Sequence, residues 1–211
     1  MADELVFYTN PMSRGRIVRW MLEEVGQPYR TEVLGYGAAM KAPAYLAINP
    51  MGKVPAITHD AAVVTECGAI CAYLADAFPQ AGLAPPPGDK RRAPYLRWMF
   101  FAAGCVEPAM WHQAMKIAPT QEQGRMVGYG ELGLVLNALE QAVSQGDYIL
   151  GDQFSAADVY LGAQIGWGME FGTMEKRPAF ETYAARILAR PAAVRAREID
   201  DALAADQQGQ S

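Results

Sequence analysis

Leu5-Val6-Phe7-Tyr8-Thr9-Asn10-Pro11-Met12-Ser13-Arg14-Gly15-Arg16-Ile17 is the stretch whose reading decides the fold. Its first part is a short apolar and aromatic run closed by Asn10-Pro11, the pattern of a buried strand ending in a turn. From Ser13 the period changes. Ile17, Met21, Leu22 and Val25 recur at helical spacing, and Gly26 followed by Pro28 supplies a stop. Tyr29 to Leu34 then reads as a second strand. Strand, helix, strand at this spacing is the start of a mixed α/β unit.

Further along, Asn49-Pro50-Met51-Gly52 is a turn-rich cluster. Val54 to Ile57 and Ala62 to Val64 read as two short strands around His59-Asp60, and Thr65-Glu66 opens a helix carrying Ile70, Tyr73 and Leu74. The proline-rich run from Pro79 through Pro85-Pro86-Pro87 to Gly88 has the composition of a stiffened linker. Beyond it the texture is helical. Leu132, Leu136, Leu139 and Val143 form an apolar stripe, and Ser155-Ala156-Ala157-Asp158 has the shape of a capping box. Pro178 and Pro191 sit where new helices would begin, and the polar tail after Asp206 is expected to fray. The expected division is an α/β domain over 1–80, a linker over 81–88 and an all-helical domain over 89–211.

Composition narrows the function. The 211 residues are 51% hydrophobic and 19% charged, an ordinary globular balance. A net charge of −5 argues against nucleic acid or an anionic membrane as a partner, since both select a basic face. Met1-Ala2-Asp3-Glu4 carries acid where a secretory signal carries base, and no apolar run approaches the ~20 residues that span a bilayer. Three cysteines do not make a disulfide framework, which suits a reducing, cytoplasmic setting. Cys67 and Cys71 lack the neighbouring His or Cys of a zinc site, so no metal is expected.

Four segments in order resemble the glutathione transferase family. Tyr8 to Trp20 is similar to its first strand, loop and helix, and Asn49 to Pro55 to its turn into the third strand, with Val54-Pro55 at the cis-proline position. Glu66-Cys67-Gly68-Ala69-Ile70 is similar to the helix start that holds the γ-glutamyl end of glutathione, with Cys67 in place of the usual serine. Phe154 to Asp158 matches the capping motif of the C-terminal domain. The resemblance implies a thioredoxin-like N-terminal domain followed by an all-helical C-terminal domain, glutathione as co-substrate, and a homodimer.

It also implies roles. A thiol with pKa near ~8.5 is mostly protonated at neutral pH, and the thiolate is the nucleophile. A hydroxyl donating to the sulfur at a helix start favours the anion through both the bond and the helix dipole. Ser13 is the first candidate, although a serine there also serves as a plain helix cap. Tyr8, at the end of the strand, is the rival, and as a core-facing strand residue it has a structural role too. Val54 and Pro55 are expected to meet the cysteinyl part of glutathione, Glu66 and Cys67 its γ-glutamyl end, and Lys41 and Lys53 its glycyl carboxylate. Met12, Trp111 and His112 are expected at the second substrate, a small electrophile taken between the domains. Arg14, Arg16 and Arg19 crowd a helix start against the dipole preference, which points to an anionic ligand or to acids such as Glu23. Conjugation to small electrophiles, with a detoxifying role, is the expected function. A glutathione-dependent isomerase or peroxidase, or a non-catalytic binding module, is the alternative.

Overall fold

The structure is a computed structural model that describes residues 4–209. Met1, Ala2 and Asp3, on which the reading of the N-terminus mostly rests, and the last two residues of the tail lie outside them. The described residues form two compact units: the chain up to Ala81 together with everything from Arg190 onward, and Gly82–Ala189.

In the first unit β1 (Leu5–Thr9) is a central strand, buried at Leu5, Val6, Phe7 and Thr9 and therefore covered on both faces. It pairs in parallel with β2 (Arg30–Val33) and antiparallel with β3 (Ala56–His59), and β3 pairs antiparallel with β4 (Ala62–Thr65), giving the order β2-β1-β3-β4. The expected strand at Val54 begins two residues later, because Pro55 has no N–H to give a ladder. The β3–β4 turn is tight, and Asp60 takes the left-handed conformation there (φ 52°), which Asp tolerates. Helix α1 (Gly15–Val25) buries Ile17, Val18, Trp20, Met21, Leu22 and Val25, and Gly26 closes it with its N–H on the Leu22 carbonyl at 3.0 Å. Helix α3 (Cys67–Ala77) packs beside α1 and buries Ile70, Cys71, Leu74 and Ala75. Between β2 and β3 run a 3₁₀ turn, Ala39–Lys41, and the short α2 (Pro43–Leu46). Met40, Tyr45 and Ala56 form a small core there, with Tyr8, Leu34, Ile48 and Val54 against it.

The regular elements of the second unit are helices: α4 (Arg92–Phe101), a π-helical turn (Ala102–Val106), α5 (Glu107–Ala114), α6 (Gln121–Gly124), α7 (Leu132–Val143), α8 (Ala156–Glu170) and α9 (Pro178–Leu188), with one isolated bridge between Tyr148 and Gly151. Helix α8 is buried over most of its length and anchors this core. The Asp158 carboxylate reaches back to the Ser155 N–H at 2.9 Å, closing the capping box as expected. The last helix, α10 (Pro191–Gly209), starts at the expected proline and stays helical past Asp206. The sequence reading assigns it to the helical segment, but in the structure it packs on α1 in the first unit. A mixed α/β domain followed by a helical domain is otherwise what is observed.

Candidate functional site

Strand register brings three of the marked segments together. Tyr8 lies opposite Ala56, and Ala56 opposite Thr65. The loop after Thr9, the turn before Ala56 and the start of α3 after Thr65 therefore emerge at the same end of the sheet. Two of them touch: the Cys67 Sγ lies 3.6 Å from the Arg14 carbonyl, joining the start of α3 to the start of α1.

The loop after β1 is held at each residue. Asn10 is buried; its Nδ2 donates to the Leu34 carbonyl at 2.8 Å and its Oδ1 accepts the Met12 N–H at 2.9 Å. The Ser13 hydroxyl donates to the Asn10 carbonyl at 2.7 Å and accepts the Gly15 N–H at 2.9 Å. That carbonyl also accepts the Ser13 N–H at 3.0 Å, so it keeps a partner when the hydroxyl turns away. Gly15 is required here. A Cβ at this position would fall on the Thr9 Oγ1 and lie 3.0 Å from the Ser13 Oγ. Ser13 is thus a half-buried hydroxyl just before a helix start; the N-cap position is Arg14, one residue later, and no side chain caps it, so Ser13 is not the N-cap serine. Tyr8 stands in a different setting. Its ring packs on Tyr45 at 5.7 Å between centroids, within the small core of Met40, Tyr45 and Ala56.

The turn before β3 is equally fixed. Asn49 accepts the Met51 N–H on its Oδ1 at 3.0 Å and donates from its Nδ2 to the Lys53 carbonyl at 2.8 Å. The Tyr45 hydroxyl donates to the same carbonyl at 2.6 Å, and burial pushes its pKa up to about 12, so it stays a donor. Gly52 takes φ 58°, and a Cβ there would meet the Met40 carbonyl at 2.6 Å. Beyond this clamp the Val54–Pro55 peptide is cis, with Val54 half-buried. Lys53 is exposed, and Lys41 donates to the Met51 carbonyl at 2.9 Å.

Glu66 is exposed and carries φ 69°, ψ 124°, a conformation that non-glycine residues adopt only when the surroundings impose it. Cys67 is buried, at 8% exposure. In the second unit Trp111 is half-exposed on α5, and the His112 Nδ1 lies 2.5 Å from the Tyr129 hydroxyl. Met12 is exposed in the first unit.

The arginine cluster has a different explanation from a bound anion. Arg19 is buried and meets the buried Asp200 of α10 at 3.2 Å, while Arg16 meets Asp201 at 2.7 Å. Glu23 pairs with Arg195, also on α10. The sequence reading misses these α10 partners, and it misses Asn10, Asn49 and Tyr45 as the residues that hold the loops. The available signal was three arginines opposing a helix dipole, with adjacent acids Asp200-Asp201 far down the chain.

Comparison with known proteins agrees with this geometry. The glutathione S-transferase N-terminal domain matches residues 12–77, and the glutathione S-transferase C-terminal domain matches residues 100–191. The chain is 27% identical over 179 residues to glutathione S-transferase GST-4.5 of Xanthomonas campestris, covering 82% of this chain and 85% of that one. It is 30% identical over 166 residues to maleylacetoacetate isomerase of Pseudomonas aeruginosa, covering 74% and 76%. A sphingomonad glutathione S-transferase complexed with glutathione superposes with a TM-score of 0.75 at 28% identity, covering 93% of this chain and 98% of that one. With both domain families matched in order over a four-stranded mixed α/β unit and a helical unit, the chain belongs to the glutathione S-transferase family.

Proposed function

We propose that the chain is a glutathione transferase that joins the glutathione thiolate to small electrophiles, with Ser13 as the activating hydroxyl. The observation that carries the choice is the pairing of Ser13 with Gly15. The Gly15 N–H on the Ser13 Oγ polarises the hydroxyl, and the Asn10 carbonyl keeps the Ser13 N–H when the O–H rotates toward a ligand sulfur. The rotation costs about one hydrogen bond, ~1 kcal/mol, and a charge-assisted bond to a thiolate exceeds that. Tyr8 is the weaker candidate because its ring is committed to the Tyr45 core.

Glutathione lies along the end of the sheet. The Val54 backbone meets its cysteinyl part, Glu66 its ammonium, the first N–H groups of α3 and Cys67 its γ-glutamyl carboxylate, and Lys41 and Lys53 its glycyl carboxylate. Ser13 donates to the sulfur as the thiol proton leaves to solvent. The thiolate then forms a bond to an electrophilic carbon, and the leaving group departs with the electron pair of the bond it breaks. Met12 in the first unit, and Trp111 and His112 in the second, are each a candidate to meet the electrophile. The protein works as a cytoplasmic, detoxifying homodimer; its three free thiols support a reducing compartment.

The pH dependence of kcat/KM in Ser13→Ala and Tyr8→Phe tests the assignment. Ser13→Ala is expected to move the apparent thiol pKa up toward ~8.5, with Tyr8→Phe unchanged. A shift in Tyr8→Phe alone would reverse the roles. A glutathione-dependent isomerase is the second reading, favoured by the Pseudomonas aeruginosa relative. It would return glutathione unconsumed, which a thiol count before and after turnover decides.

A further inference from the structure

One ion pair ties the Ser13 loop to the far end of the chain. Three successive carbonyls of that loop are each held by a different group. Asn10 O is held by Ser13, Met12 O by the Tyr36 hydroxyl at 3.0 Å, and Pro11 O by the Arg16 Nε at 2.5 Å. Ser13 acts from within the loop and Tyr36 from the segment after β2. Arg16 alone carries its other end, Nη1, to α10, where the Asp201 Oδ1 lies 2.7 Å away.

Asp201 is itself placed by a seam. Arg16, Arg19 and Glu23 of α1 meet Asp201, Asp200 and Arg195 of α10, and Glu24 meets Arg190 just before it, partners in reverse order along two antiparallel helices. Asp200 and Arg19 are buried at the adjacent position, which fixes the turn of α10 that presents Asp201. An arginine in the first turn of a helix opposes the dipole, so Arg16 stands there at a cost that its two contacts offset. Its planar fork serves both at once: one N–H to a backbone carbonyl, another to a carboxylate.

We propose that Asp201 is a positioning residue for the reaction, acting through Arg16 to hold the Pro11 carbonyl and with it the Ser13 hydroxyl. The proposal rests on the reading that the Ser13 loop activates glutathione. Without Asp201 the Arg16 side chain regains its rotamers and its hold on the Pro11 carbonyl loosens. The pair is open to water, with 26% and 59% of the two side chains exposed, so its loss costs little stability and its effect falls on the loop.

The experiment compares Asp201→Asn and Asp201→Glu with wild type in three readouts: kcat/KM for glutathione across pH, its dependence on NaCl, and amide hydrogen exchange at Met12, Ser13 and Gly15. Asp201→Asn is expected to lower kcat/KM about two- to fivefold, the range that an exposed ion pair carries. It is also expected to raise the apparent thiol pKa, speed exchange at the three amides and remove the NaCl dependence expected of wild type. Asp201→Glu is expected to restore all three. Wild-type exchange and wild-type kcat/KM in Asp201→Asn would overturn the proposal. If Ser13→Ala leaves the thiol pKa unmoved, the Ser13 reading fails on its own. Amide exchange in Asp201→Asn still decides whether Asp201 holds the loop.

Discussion

Cys67 is the residue at which this chain departs from the motif it otherwise resembles. Its thiol is a weaker donor than the serine hydroxyl usual at that helix start, and it is spent on the Arg14 carbonyl at 3.6 Å. Cys67→Ser is therefore expected to lower KM for glutathione about two- to fivefold with kcat little changed, the worth of about half to one kcal/mol of hydrogen bond. Initial-rate kinetics measure it, and an unchanged or higher KM would show that the thiol is not limiting the site. Cys71, one turn further on, is fully buried, and desolvation pushes its thiol well above the ordinary value, so it packs as an apolar residue. At this scale Ser13 and Tyr8 were both visible in the sequence, but their settings were not. The contacts that separate them, Gly15 on Ser13 and Tyr45 on Tyr8, depend on how the loop turns and on a side chain 37 residues away.

Among the elements, the start of α8 gathers four hydrogen bonds on one buried carboxylate. Asp158 Oδ1 accepts the Ile149 N–H at 2.7 Å and the Tyr183 hydroxyl at 2.8 Å, while Oδ2 accepts the Ser155 N–H and hydroxyl, each at 2.9 Å. Asp158→Ala would strand those donors in the core, so a loss of about 3–5 kcal/mol of unfolding free energy is expected from denaturant titration. A loss below about 1 kcal/mol would show that water replaces the carboxylate. The Ser155–Asp158 half of this arrangement was legible because capping is local and follows a fixed spacing. The Ile149 and Tyr183 contacts were not, since they come from a preceding loop and from α9. The same contrast separates β1 and α1, read from their periods, from the start of β3, which Pro55 delays.

For the molecule as a whole, the chain's return to its first unit through α10 was hidden from local pattern. A helix records its apolar face in sequence but not the partner it chooses. Here the partner is α1, met through the Arg19–Asp200 pair, and α10 buries the small residues Ala192, Ala193 and Ala196. Arg19 also donates to the Tyr29 and Thr31 hydroxyls at 3.1 and 2.8 Å and lies 4.9 Å over the Phe7 ring. Asp200→Ala leaves that guanidinium buried without its counter-charge, and a loss of about 3–5 kcal/mol is expected on denaturant unfolding. An unchanged midpoint would mean that α10 adds nothing to the first unit. The claim on which everything else depends is that the end of this sheet binds glutathione and holds its sulfur as the anion. The direct measurement is the ultraviolet thiolate absorbance of glutathione bound to the wild-type protein as pH is raised. A titration midpoint clearly below the ~8.5 of a free thiol is expected; no saturable binding, or a bound thiol titrating at its free value, would contradict it.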